Sequence, residues 1–439
     1  MPIISNFPGG VGRTAMANIE GKIQEVKNDT TAILAEVKGQ RPKRYGFRVN
    51  INEPDPSARV EYLYDAVGMT PAFMDYTAGA FNYGSWGNIW FIRDNYPCMV
   101  RYDGMEDYRL NPNDYSKKLT DGSASDVANT AYGGNAMTAI PCCWVKRWEE
   151  DGYRYVVFCE TQYDEGYKAY AHTRADGSIE KIHYYPIFKG CIVDGKLRSI
   201  SGQYPQYNTT AQAERDAAKA NGSKWDLRSW AMDELIADLL TLMSKTTQSQ
   251  TAFGQGQTTG YVNDANQHYG HILSGTLNDK GGFFGYNDTT HAVKVFHMEN
   301  FWGGRWDREV GLLYINGIYY AKMTPEGSGY NFDGTGYTPV CTGVLGAWGE
   351  GWLKNAVQTE YGCFPTGVTG SDVTFECDYF WFNKRDYINA LDHAMQSIVV
   401  REATCEASGK VVNICKRCGL VETEYTEKGG HQYKTYSIT

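Results

Sequence analysis

No run of about 18 apolar residues occurs anywhere in the 439-residue chain, so the sequence offers no helix fit to span a membrane. Clustered Lys and Arg are missing as well: 42 basic residues are scattered against 51 acidic ones, for a formal charge of −9. Sequence-independent binding to nucleic acid needs such clusters and is excluded as a main function. The first ten residues lack the charged-then-apolar layout of a signal peptide. The chain is therefore expected to be made in the cytoplasm and to leave by a route such as cell lysis. The H-E-x-x-H, G-x-S-x-G and P-loop spacings are all absent. Tandem repeats and low-complexity linkers are absent too.

What the chain does contain is aromatic residues and glycine: 33 Tyr, 11 Trp, 17 Phe and 48 Gly. Stiff rings and many glycines fit twisted β-structure with long irregular loops better than helical bundles. Tyr and Trp also suit recognition surfaces, because a rigid ring gives large contact area at small entropy cost. Hydrophobic residues at 42% against 21% charged are enough to build packed cores, and the length predicts two to four domains. Eight of the eleven cysteines fall within positions 98–377 in apolar or strand-like contexts and read as reduced, buried thiols.

Ile19, Ile23, Val26, Thr30, Ile33 and Val37 are spaced alternately four and three apart, with charged and polar residues between them. This is a heptad seam whose β-branched residues favour three or four strands over two. Gly39 and Pro42 stop it. At under three heptads it needs further contacts to hold a trimer, and one amphipathic surface helix is the simpler alternative. From Tyr45 the apolar period becomes two: Phe47, Val49 and Ile51, then Ala58, Val60 and Tyr62. Short runs at 89–92, 98–102, 142–145, 153–158 and 179–185 continue the pattern. Thr209 and Thr210 precede an Ala-rich helix over 211–220, which Asn221 and Gly222 stop. A second helix over 230–243 places Leu235, Ile236, Leu239, Leu240 and Met243 on one face. Gly-, Tyr- and Trp-rich sequence follows to about Asn389. The expected fold is α+β and β-rich. Its parts are an N-terminal tip and coiled coil (1–40), a β-rich body (41–200), a second domain (201–390) and a small Cys/His module (391–439).

Several residues could carry chemistry. Tyr330, Phe332 and Tyr337 lie in the Gly-rich stretch 325–339, followed by Trp348, Trp352 and Tyr379. Rings beside Asn and Asp can stack on sugars or fill protein pockets. The flanking Gly and Asp predict exposure for the first three, whereas Trp302, Trp306 and Trp381 read as core. His268 and His271 read as solvated, and His297 as a hydrogen-bonded core histidine. Acidic pairs such as Glu149–Glu150, or Asp372 with Asp378, would matter for glycoside hydrolysis only at a separation the sequence does not give. Near the C-terminus, Cys405, Cys415, Cys418 and His431, with His393 as an alternative ligand, offer five candidates for four places around a structural zinc. Reduced thiols or a disulfide are the other readings. Calcium finds no support in these residues.

The order of the later features resembles a C-type-lectin-like domain, the kind shared by formylglycine-generating enzymes and phage tropism determinants. The helix over 210–220, WDLRSWAMDEL at 225–235 and MENFWGGRW at 298–306 correspond to that family's two helices and its "DMxGNVWEW" signature, with Gly304 where Asn is usual. Over about 45–389 the chain is similar to tail fibre, or receptor-binding, proteins of phages and prophages from gut Firmicutes. AVGMTP at 66–71, PCMV at 97–100, LNPN at 110–113, LRSISG at 197–202 and VKVF at 293–296 carry this likeness. It implies a homotrimer in the virion tail, joined to tail or baseplate through its N-terminus and released on host lysis. The lectin-like domain would attach the virion to a sugar or protein receptor. No enzymatic activity is implied: oxidases of the lectin-like family use cysteines a few residues apart, and Cys363 and Cys377 are too far separated. The usual end of that domain is replaced after about Asn389, and C-x2-C-G modules resemble those near the ends of Firmicutes surface proteins. A tail-borne glycan depolymerase and a bacterial surface adhesin are the competing readings.

Overall fold

A computed structural model describes residues 19–30, 42–206, 209–258, 272–304, 307–344, 348–371, 379–383, 395–401, 409–415 and 421–426; at 348–350 and beyond 371 it describes secondary structure alone. The fold is β-rich with few helices, an α+β plan.

Residues 19–30 form a helix that is exposed throughout. Its seam residues Ile19, Ile23 and Val26 are 53%, 50% and 63% exposed. Thr30 is exposed too, its hydroxyl donating back to the Val26 carbonyl at 2.7 Å. Ile33 and Val37 lie outside the described residues.

Tyr45–Asn50 is an inner strand of a four-stranded antiparallel sheet, ordered Val60–Tyr64, Tyr45–Asn50, Tyr153–Cys159, Trp144–Glu150. The register sets Phe47 opposite Val156 and Tyr45 opposite Phe158, all four buried. Alternate residues point to the other face, where Trp148 and Tyr155 stack with ring centroids 4.7 Å apart. This is the period-two pattern realised. A second, five-stranded antiparallel sheet runs Ile182–Pro186, Gly134–Pro141, Tyr96–Arg101, Glu106–Asn111, Asp114–Lys118. Gly134–Pro141 is buried at every position, whereas Ile182–Pro186 is an edge.

One of the expected strand runs is helical, and a second is helical at its first residue only. Trp90–Arg93 is a short helix that buries Trp90 and Phe91. A four-residue apolar run fits a buried helix turn as well as a strand, so periodicity could not separate them. Ala58 lies in the helix Pro56–Arg59, which Asp55 caps by accepting from the Ser57 amide at 2.9 Å, with Pro56 in the first turn. Cys142 and Cys143 fall between two strands rather than inside one.

The helix Ala211–Lys219 begins at Thr210, whose hydroxyl accepts from the Ala213 amide at 3.1 Å. It ends where the Asn221 side chain donates to the carbonyls of Ala218 at 2.9 Å and Leu197 at 2.8 Å. Thr210→Ala is expected to lower stability by about 1 kcal/mol. Urea denaturation measures this, and an unchanged midpoint would show that the cap contributes nothing.

The helix Trp230–Ser244 is not amphipathic in the expected sense. Besides the predicted face it buries Met232, Asp238, Thr241, Leu242 and Ser244. Its residues join Phe47, Trp86, Phe91, Val156, Phe158, Phe253 and Phe296 in the largest hydrophobic core. The expected boundary at 200/201 therefore runs through one shared core. A helix that is apolar nearly all round needs cover on several sides, and segments before and after position 200 both provide it.

Beyond it lie the three-stranded sheet Leu312–Ile315, Ile318–Ala321, Thr338–Thr342 and the pairs Trp348–Trp352 with Tyr379–Asn383 and Asn355–Thr359 with Gly362–Gly367. Met395–Arg401, Gly409–Cys415 and Val421–Thr426 form a final antiparallel sheet. Of the expected zinc ligands, Cys415 ends one of these strands. Cys405, Cys418, His431 and His393 lie outside the described residues, as do His268 and His271.

Candidate functional site: a charged and aromatic cleft

The edge strand Ile182–Pro186 forms one wall of a cleft of about 1220 Å³. The helix Ala211–Lys219, the segment 221–229, and parts of 298–308 and 325–330 also contribute lining residues. Nine Lys and Arg line it against six Asp and Glu, the reverse of the balance in the whole chain.

A two-residue parallel pairing builds the cleft's densest cluster. Arg228–Ser229 runs beside Glu309–Val310, with Arg228 opposite Glu309, and so brings Asp307 and Arg308 next to the start of the long helix. Arg228 donates through one nitrogen to Asp233 Oδ1 at 2.6 Å and through another to Asp307 Oδ2 at 3.0 Å. Lys189 Nζ reaches the same Asp307 oxygen at 2.5 Å. Tyr185 donates its hydroxyl to Asp233 at 2.9 Å. The guanidinium of Arg228 lies 4.9 Å from the ring centre of Phe301, within cation–π range.

Burial works against ionised groups here and charge partners oppose it. It lowers the Lys189 ammonium's pKa, against the pull of Asp307. It pushes the Glu309 carboxyl well above the ordinary range, and the charge of Asp233 and the hydrogen bond to it add to that. For Arg228 burial is outweighed by Asp233 and Asp307, which hold the guanidinium firmly charged. Further along, Arg215 grips Asp226 with two bonds of 2.8 Å, and Arg308 meets Glu214 at 2.5 Å. His183 contacts Glu180, which also pairs with Arg174 at 2.9 Å.

The aromatic loop that the sequence offered as an exposed contact surface is turned inward. Phe332 is 4% and Tyr337 9% exposed, packed with Ala211, Val310 and Leu313. Tyr337 donates to the Asn331 carbonyl at 2.8 Å. Tyr330 is half-buried against the same cluster and reaches the cleft rim. The cause is local: Gly327, Gly329, Gly334 and Gly336 all take positive φ, which folds the loop back on itself. Trp352 is half-buried. Trp348 and Tyr379 sit in paired strands, and their side chains lie outside the described residues.

His297 is a core residue, as read from sequence: its Nδ1 lies 2.7 Å from the Tyr115 hydroxyl. It shares the turn between Lys294–Val295 and Met298–Glu299 with Phe296, both at positive φ, a strained choice for non-glycine residues. Glu299 supports that turn by accepting from the amides of Gly275 and Thr276 at 3.1 and 3.3 Å. Trp302 packs half-buried against the main core. Trp306, Trp381, Asp372 and Asp378 offer no described side chain. Glu149 is taken up by the Gln358 amide at 3.0 Å. Of the cysteines read as buried thiols, Cys98, Cys143, Cys159 and Cys191 are buried, whereas Cys142, Cys341 and Cys363 are half-buried; Cys377 lies outside the description. Among the described residues no group of three His, Cys, Asp or Glu could hold a metal ion.

Sequence reading missed Lys189, Tyr185, Asp233 and Asp307. Arg228, Asp233 and Phe301 stood inside quoted motifs, and nothing in the sequence marked them as site residues. Comparison with protein-family models, with curated proteins and with solved structures gives no match.

Proposed function

We propose that the protein is the receptor-binding component of a phage tail, acting as a homotrimer that attaches the virion to a bacterial surface glycan. The observation that carries this reading is the cleft. It combines aromatic rings (Tyr185, Phe301 and Tyr330) with charged hydrogen-bonding groups in a concave space large enough for several sugar units. The receptor surface first expected on Phe332 and Tyr337 moves to this cleft, because those rings are spent on packing. The resemblance to tail fibres supplies the biological setting. The exposed stripe Ile19, Ile23 and Val26 supplies a reason for association, since a heptad seam left in water is best covered by copies of itself.

A depolymerase needs two carboxyl groups facing the substrate. The six carboxyl groups that line the cleft are all engaged by the protein itself: Glu106 by Arg109, Glu180 by Arg174, Glu214 by Arg308, Asp226 by Arg215, Asp307 by Lys189, and Glu299 by the amides of Gly275 and Thr276. This favours binding over cleavage.

The test is attachment of the purified, labelled protein to gut Firmicutes cells, alongside light scattering. A trimer that binds cells is expected. Ile23→Asp should give monomers whose attachment falls about 100-fold through lost avidity. A monomeric wild-type protein, or fragments released from host glycan, would overturn the proposal.

A further inference from the structure

We infer that Lys189 and Arg228 form an anion-recognising subsite in the cleft, held in the free protein by the Asp307 carboxylate, and that the glycan it takes carries carboxylate or phosphate groups. This deepens, and rests on, the reading of the cleft as a glycan site.

The arrangement is asymmetric in exposure. The side chains of Lys189 and Arg228 are 7% and 16% exposed, whereas that of Asp307, between them, is 29% exposed. The two cations are therefore built into the wall and the anion sits on the open side. Arg228 is fixed from behind: its Nε and one terminal nitrogen both go to Asp233 Oδ1, at 3.2 and 2.6 Å. Tyr185 steadies the same oxygen. The remaining terminal nitrogen is presented to Asp307. A fixed guanidinium nitrogen beside an ammonium supplies two converging charged donors, which match a carboxylate or phosphate.

Asp307 occupies the place such a group would take. Exchanging one anion for another leaves neither cation buried and unpaired, so the exchange avoids the main cost of breaking an ion pair. Phe301, beneath the guanidinium, offers an apolar face next to the anion, as a sugar ring bearing an acidic substituent requires. The chain's overall negative charge argues against nucleic acid as the anion's source.

Calorimetric titration of the full-length protein tests this with poly(glycerol phosphate), polygalacturonate and neutral dextran at fixed ionic strength. At least one anionic polymer should bind about tenfold or more tighter than dextran, and the two arms identify phosphate or carboxylate as the source. Lys189→Gln should weaken that binding about tenfold, whereas Asp307→Asn should strengthen it severalfold by removing the internal competitor. A gain of affinity is something a misfolded variant cannot give. No anionic preference, or weaker or unchanged binding by Asp307→Asn, would overturn the subsite. Cell attachment separates the two levels. If wild-type protein attaches but prefers no anionic polymer, the subsite fails and the receptor-binding function stands. If it attaches to no cells, the function fails.

Discussion

Asp238→Ala should destabilise the protein by about 3–5 kcal/mol, among the largest losses open to a single substitution. Asp238 sits on the long helix with Arg147 Nε at 2.6 Å and Arg154 at 3.7 Å, and all three side chains are 4% exposed. Removing the carboxylate leaves two guanidinium groups buried against too little negative charge. The nearest replacement is Glu234, one helical turn away, whose carboxylate oxygen accepts from the Cys363 amide at 2.8 Å. Burial, and then the charge of Asp238, push the Glu234 carboxyl up to about 8, so near neutrality it largely keeps its proton. Without Asp238 part of that upward push disappears, Glu234 ionises more readily and some of the lost charge returns. Glu234→Gln combined with Asp238→Ala is therefore expected to lose more than the two single changes added together. Urea denaturation of the four proteins gives the answer. A loss below about 1 kcal/mol for Asp238→Ala would show that the two arginines do not depend on it.

Acid should destabilise the protein progressively from about pH 6.5 downward, with His172 as a main contributor. His172 is fully buried; its Nε2 lies 3.2 Å from the Ile140 carbonyl, and its Nδ1 has no hydrogen-bond partner among the described residues. Burial, and then the nearby His183, lower its pKa to about 4. Burial, and then Lys294, lower that of His297 to about 3. Both folded values lie below the unfolded one. Between pH 6.5 and the folded pKa the unfolded chain therefore binds the proton that the folded chain refuses. Stability is full above about 6.5 and falls as the pH drops through that window.

At about 1.4 kcal/mol per unit, His172 alone removes about 3 kcal/mol by pH 4. Glu234 acts in the opposite sense: its folded pKa is raised, so its contribution is present at low pH and lost as the pH rises through about 8. A single variant isolates the histidine from this background. His172→Gln should be less stable than the wild type at pH 7.5 through lost packing, and the gap should close or reverse as the pH falls from 6.5 to 4. Parallel stability curves would show that His172 is protonated in the folded state.

The parts of the fold legible in sequence are those set by neighbours along the chain. Thr210, the alanines after it and the Asn221–Gly222 stop bracketed a helix to within a residue of Ala211–Lys219, because capping and helix termination are short-range interactions. The alternation at Phe47 and Val49 gave a strand for the same reason. Where a segment was short the local signal ran out: 89–92 packs as a helix. Exposure of the loop aromatics was misjudged because glycine and aspartate signal a turn, not the direction in which the turn sends its rings.

By itself, then, the sequence determined an acidic, β-rich α+β chain with two well-marked helices and an N-terminal heptad stripe. Only the tertiary structure decided that segments on both sides of position 200 share one core, and that the candidate site is a cleft and not a loop. The residues concerned are far apart in the chain: 118 positions separate Lys189 from Asp307 and 48 separate Tyr185 from Asp233. No local pattern records such pairings, because they exist only once the long helix is covered on all sides and the short parallel strands have drawn Asp307 up beside Arg228.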